Sequence, residues 1–403
     1  MLIELTIALI IGVVIGSITG LTPGIHINLV AFFLLSLVTA GYFAGISSII
    51  LVVFIVSLSI THTFIDFIPS IFLGAPDEDS VLSVLPGHEF LIRGRGYEAV
   101  LLTLIGSIAG IFIVFLFTPL FIFFLPKIYE NALTIMPFIL ILASLFLFYF
   151  EKGSKFWAVI IFLLAGFLGI ASLNLNLKEP LLPMLGGLFG ASSLITSISK
   201  KQKLPQQRII KFRDIRIKKK SITKSILASL IASPLCSFLP ALGSGQAAVI
   251  GSEVTGDLNR KEFLILLGSI NTIVMGLSFV ALYTIQKSRT GSAVAISKLL
   301  EIFSLNNLLI ILTAILISGI LASFLTIFLA KIFSKNISKI SYNKLSLIIL
   351  IVLSAVVLLF SGFLGFLVFI ISAFTGLTCI YAGVRRTHLM GCLMLPTILI
   401  YIL

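Results

Sequence analysis

The stretch EAVLLTLIGSIAGIFIVFLFTPLFIFFL, from Glu98 to Leu125, carries a single ionisable side chain, Glu98. About 20 apolar residues are enough for a helix to cross ~30 Å of hydrocarbon, and this stretch is longer. Its apolar residues run continuously instead of alternating, which excludes the strand of a transmembrane barrel. Lipid offers no partner to backbone N–H and C=O groups, so the segment must be a spanning helix. Working outward, similar spans or half-spans are predicted near 2–18, 28–40, 44–68, 133–150, 156–172 and 180–198. Beyond a polar break come 222–239, 246–256, 262–285, 306–333, 345–360, 362–382 and 388–403. The whole chain agrees. It is 59% hydrophobic and 11% charged with mean hydropathy +1.22, whereas soluble domains are about 25% charged. The predicted fold class is an all-α integral membrane protein of about 10–12 helices, allowing ~20 residues per crossing.

Two readings of minor features follow. The first run has no basic leader and no small-residue cleavage site, so it reads as a retained helix rather than a signal peptide. Cys236, Cys379 and Cys392 sit in apolar sequence without metal-ligand spacing, so neither a metal site nor a disulfide framework is implied.

The polar break is Lys200–Lys224, with eleven basic residues against the single acid Asp214, a net +10 of the chain's +13. By the positive-inside rule it is a cytoplasmic loop, with attraction to anionic membrane lipids as a by-product; nucleic acid is not an expected partner. It divides the chain into a first membrane repeat at 1–199, a basic linker at 200–221 and a second membrane repeat at 222–403. Met1–Gly20 holds Glu4 and no Lys or Arg, so the N-terminus is expected outside.

The halves resemble each other. GLTPGIHINLVAF at Gly20–Phe32 matches FLPALGSGQAAVI at Phe238–Ile250, pairing Pro23 with Pro240. Ser59-Ile60-Thr61 pairs with Ser269-Ile270-Asn271, although the separation from the proline is 36 residues in one half and 29 in the other. Matched Gly/Pro interruptions in two apolar halves point to a transporter binding site at the interface of inverted repeats. Proline removes a helical donor and glycine permits a break. The helix that restarts or re-enters presents free N–H groups and a positive dipole end to an anion. Pro23, Gly24, His26 and Asn28 are therefore expected to meet Pro240, Gly243, Ser244, Gly245 and Gln246 around a substrate. A plain helix kink is the alternative for either break taken alone.

A second cluster is Thr61, His62 and Asp66. His62 and Asp66 are four apart and share a helix face, and ionisable groups within spans are costly and usually functional. With Asn271 in the second half they are expected to couple ion or proton movement. The plainer alternative is a structural hydrogen bond between helices. Asp77, Glu78 and Asp79 read as a solvated loop. Arg93 and Arg95 read as snorkelling residues or as captors of an anion or phosphate headgroup. No Walker A, His-Glu-x-x-His, Gly-x-Ser-x-Gly or Cys-x-x-Cys motif occurs, so neither a catalytic site nor a resident cofactor is expected beyond a transported Na+ or H+.

The segments GSITGLTPGIHINL, FIDFIPSIFLGAPDEDSVLSVLPG and FLPALGSGQAAVIGSE together resemble the TctA-type large membrane subunit of tripartite tricarboxylate transporters, over most of the chain. The chain is shorter than typical members and carries His26 and Asn28 in the first motif. The resemblance implies ion-driven carboxylate uptake through two inverted repeats, helped by a small membrane subunit and an extracytoplasmic solute-binding protein. Two rivals remain: a carrier or flippase of a phosphorylated polyprenyl lipid, and a membrane scaffold subunit that transports nothing.

Overall fold

The computed structural model of the protein describes residues 1–22, 30–31, 34, 45–74, 80–151, 153–177, 179–199, 204–238, 244–256, 258–287, 290–300, 302–339 and 342–402. Among them every regular element is helical. The first half holds α1 (Leu2–Leu21), α2 (Ser48–Ile65), α3 (Phe67–Leu73), α4 (Val84–Ile92), α5 (Gly96–Tyr149), α6 (Lys155–Asn174), α7 (Leu181–Leu185) and α8 (Ser192–Ser199). The second holds α9 (Lys219–Phe238), α10 (Ser244–Thr255), α11 (Arg260–Ile285), α12 (Gly291–Leu299), α13 (Leu305–Asn336), α14 (Tyr342–Ala382) and α15 (Gly391–Ile402).

Seven helical runs among the described residues are long and apolar enough to cross a membrane, and three shorter apolar ones accompany them. Their outer faces suit lipid: Phe112, Leu116, Phe324, Phe328, Leu359 and Phe363 are all exposed, a display that a water-soluble surface avoids. The protein is thus a multi-pass α-helical membrane protein. The span carrying α2 and α3 and the span α11 are the most enclosed, and they form the centre of the molecule.

Four local features position the site. Pro69 has no N–H to give the Ile65 carbonyl, so the α2–α3 span is interrupted at Asp66. Asn259 caps α11: its side chain accepts from the N–H groups of Lys261 and Glu262, and Glu262 accepts in return from the Asn259 N–H at 3.0 Å. The third feature is α5. Sequence alone predicts two spans, 98–125 and 133–150, and the helical run from Gly96 to Tyr149, with Pro119, Pro126 and Pro137 inside it, keeps that division. Near its start Glu98 pairs with Lys261, and just past its end Glu151 pairs with Arg385. Arg385 lines one pocket with Arg260, so both ends of α5 lie at the same end of the molecule. A straight helix of this length would span about 80 Å, so α5 doubles back between its two apolar arms, Gly96–Tyr129 and Thr134–Tyr149. Fourth, α14 breaks where the sequence divides it: Gly362 has φ 68° and ψ −168°, a conformation that side-chain-bearing residues avoid.

The basic loop packs onto the turn between α4 and α5. Arg208 N–H donates to the Gly94 carbonyl at 2.8 Å, and Gln207 bridges Gly96 N–H and the Leu91 carbonyl. Phe72, at the far end of the α2–α3 span, lies beside Gly96. The near end, Ser47, shares a groove with Glu4. That span is 26 residues long, roughly 39 Å at 1.5 Å per residue. The N-terminus and the described part of the basic loop therefore lie at opposite ends of the molecule.

Candidate functional site

In the second half the expected break at 240–245 falls mostly within 239–243, outside the described residues. α9 ends at Phe238 and α10 begins at Ser244. α9 starts, and α10 ends, at the basic-loop end: Ser225 Oγ donates to the Glu262 carbonyl at 2.9 Å and Lys261 Nζ to the Arg216 carbonyl at 2.7 Å. Gly251 of α10 lies close to the Ala228 carbonyl of α9, so the two helices run back to back. Twelve residues of α10 reach about 18 Å, too short for a ~30 Å core. α9 and α10 thus run antiparallel, and the N-terminus of α10 lies at the end of this pair away from the basic loop. Ser244 and Gly245 sit at that end; the Ser244 hydroxyl is buried without a hydrogen-bond partner, and Gly245 faces Met390. Pro23, Gly24, His26, Asn28, Pro240, Gly243, Asp77, Glu78, Asp79 and the side chain of Gln246 lie outside the described residues.

The second cluster is fully placed. Thr61, His62 and Asp66 are buried on the α2–α3 span, Asp66 at 3% exposure. His62 Nδ1 is hydrogen-bonded to the Thr19 hydroxyl of α1 at 3.1 Å. Asp66 Oδ2 accepts from Asn271 Nδ2 of α11 at 3.2 Å, and the same amide donates to the Thr63 carbonyl at 3.4 Å. Asp66 and Asn271, grouped from sequence but 205 residues apart, thus meet directly. Asn271 Oδ1 is buried without a hydrogen-bond partner, as are the hydroxyls of Thr61, whose Cβ meets Gly16 of α1, and Thr272, whose Cβ meets Gly110 of α5. Such groups normally find a partner, and their exceptions ask for an ion, a water or a function. Ser59 and Ser292 share a further bond across the halves at 2.7 Å.

Close packing fixes α11 in place. A Cβ at Gly106 would run into the Ile265 carbonyl, and one at Gly268 into the Thr103 carbonyl, so α5 and α11 touch backbone to backbone. Arg93 is exposed at the end of α4. Arg95 makes a two-pronged bond to Glu98 at 2.7 and 2.8 Å, which commits its guanidinium to that carboxylate.

Sequence reasoning missed a third group. In the turn after α5, Glu151 accepts from His388 Nε2 at 2.6 Å, from Arg385 Nε at 3.3 Å and from the Gly153 N–H at 2.8 Å. Burial works to raise this carboxyl, but the Gly153 N–H, His388 and Arg385 hold it down at about 2. Arg385 also reaches Glu253 of α10 at 3.7 Å. Next to it, Arg386 donates to the carbonyls of Leu188 and Phe189 and to the hydroxyls of Ser192 and Ser193. Those carbonyls belong to Gly186–Ala191, a π-helical turn between α7 and α8, a widened form frequent at functional sites. The signal was VRRTH at 384–388, three ionisable side chains inside an otherwise apolar region.

Comparison with known proteins supplies the family. An uncharacterized protein of Methanocaldococcus jannaschii is 32% identical over 408 residues, covering 98% of each chain. No solved structure matches. The model of the tripartite tricarboxylate transporter TctA family matches residues 6–391. With that match running through α9 and α10, the Asp66–Asn271 pair and the Arg386 turn, this chain belongs to the tripartite tricarboxylate transporter TctA family.

Proposed function

We propose that this chain is the large subunit of an ion-coupled carrier in the cell membrane that moves an organic anion of the tricarboxylate class, with Asp66 and Asn271 at its coupling centre. The observation that carries the reading is the bond between Asp66 of one half and Asn271 of the other, with Asn271 Oδ1 buried beside it without a hydrogen-bond partner. A carboxylate and an uncommitted oxygen are ligands for a hard cation or stations for a proton. The N-terminus of α10 offers N–H groups, the Ser244 hydroxyl and the positive end of a helix dipole to the anion. Pro23, Gly24, His26 and Asn28, with Pro240, Gly243, Gly245 and Gln246, complete the proposed substrate site. A small membrane subunit and an extracytoplasmic binding protein complete the assembly.

An inverted repeat is supported by element order. A 26-residue span, a short helix and a span of 34 or 35 residues follow one another in each half: Ser48–Leu73, α4 and Gly96–Tyr129, then Arg260–Ile285, α12 and Leu305–Lys339. α2 starts at the end away from the basic loop and α11 starts beside it, so the two run in opposite directions. With the loop in the cytoplasm, the N-terminus lies outside. Single cysteines placed at residue 3 and residue 211 should then be labelled from opposite sides of intact cells. Labelling of both from one side would overturn this topology.

The function itself is tested in proteoliposomes holding this subunit with its small partner and binding protein. Citrate should accumulate above its equilibrium level only when an inward Na+ or H+ gradient is imposed. Uptake indifferent to both gradients would refute ion coupling, and no uptake of any di- or tricarboxylate would refute the substrate class.

A further inference from the structure

A second anion site is suggested at the basic-loop end, away from the Asp66–Asn271 pair. A pocket of about 190 Å³ opens between α4, the Phe189 turn, the start of α11 and the turn before α15. Leu82, Pro86, Phe189, Leu258 and Phe263 give it apolar walls, and its charged members are Arg260, Arg385, Arg386 and Glu89. Two of the three guanidinium groups are neutralised: Arg260 pairs with Glu89, and Arg385 with Glu151 and Glu253.

Arg386 is different. It is only 7% exposed, lies over the Phe189 ring, and spends its donors on two carbonyls and two hydroxyls. Among the described residues no carboxylate forms an ion pair with it, and its Nε–H has no acceptor. The neighbouring Thr387 hydroxyl is also buried without a partner. Neutral acceptors orient a guanidinium but leave its charge uncompensated, and a buried uncompensated charge is expensive. Two unspent donors on adjacent residues, both lining one small pocket with apolar walls, ask for one acceptor carrying negative charge.

We infer that this pocket binds an oxyanion, a carboxylate or phosphate group, held by Arg386 and the Thr387 hydroxyl with Arg260 and Arg385 at its mouth. Apolar walls strengthen such a charge-assisted bond relative to water. The volume suits a small acid or a single headgroup rather than a large ligand. The inference does not depend on the transport reading, because binding is measured without gradient or flux.

The test uses the full-length protein in neutral-lipid nanodiscs, titrated calorimetrically with citrate and with inorganic phosphate, and again in nanodiscs containing phosphatidylglycerol. Arg386→Lys keeps a charge but loses the fork, while Thr387→Val and Arg260→Gln leave the Arg386 bonds to the π-helical turn in place. Binding of citrate or phosphate that weakens at least tenfold in Arg386→Lys and in Thr387→Val supports the site and makes its ligand a free oxyanion. Thermal stabilisation by phosphatidylglycerol alone, lost in the same variants, supports the site with a lipid headgroup as its ligand. Should Arg386→Lys fail to fold, Thr387→Val and Arg260→Gln carry the comparison. Absence of any binding or stabilisation, or an effect unchanged in the variants, overturns the inference.

Discussion

Asp66→Asn is expected to abolish gradient-driven accumulation of carboxylate in proteoliposomes while exchange of internal for external carboxylate continues. The amide oxygen of the new side chain can still accept from Asn271 Nδ2, so the link between the α2–α3 span and α11 survives the substitution. What disappears is the charge. A carboxylate within the hydrocarbon costs roughly 2.5–3.5 kcal/mol on insertion scales, and a hydrogen bond to an ion returns about 1.5–3 kcal/mol. The pair as seen nearly balances, so a bound cation or proton can tip it. Exchange needs only the substrate site and the motion; accumulation also needs the ion. Accumulation by Asp66→Asn at the wild-type level would remove Asp66 from the coupling role. Loss of exchange together with a large drop in melting temperature would reduce it to a structural bond.

The second large effect concerns stability. Glu151→Gln should lower the melting temperature of the detergent-solubilised protein and flatten its dependence on acid pH. The folded carboxyl is held at about 2 against an ordinary 4.5. Its stabilising contribution is fully present above about pH 4.5 and is lost as pH falls toward about 2. Glutamine at this position cannot ionise, so that part of the acid destabilisation should vanish. His388 would keep one acceptor, but Arg385 would lose its charge partner in the turn, at a cost of about 1–3 kcal/mol for imperfectly satisfied buried groups. Arg385 is half-buried, and water relieves part of this. Parallel acid-melting curves for the wild-type and Glu151→Gln proteins would show that the carboxylate carries no such load.

The spans were legible because lipid allows few solutions. A backbone without water must close its own hydrogen bonds, so long apolar runs announce helices without knowledge of their neighbours. The division of α14 was readable too: the predicted spans 345–360 and 362–382 part beside Gly362, where the helix breaks. Partners were harder to read. His62 and Asp66 were visible as ionisable residues in an apolar span, but nothing local shows that one turns to Thr19 and the other to Asn271. The Glu151–Arg385–His388 group was harder still, because Glu151 lies more than 230 residues from the other two and meets them only when α5 doubles back. Periodicity describes what a segment does by itself, and such tertiary pairs leave no periodic trace.

The backbone contact between α5 and α11 has a further consequence. Gly106 and Gly268 leave no side chain between the two helices to slide or re-pack, so they must travel as one piece. Less tightly, Gly319 of α13 fits beside Ile111 of α5 and Phe64 of α2, so a helix of the second half also packs on both of these first-half helices. In these places a helix of one half is packed closely against a helix of the other. A rigid unit in this molecule need not follow the division of the sequence into halves: α5 and α11 form one that draws on both.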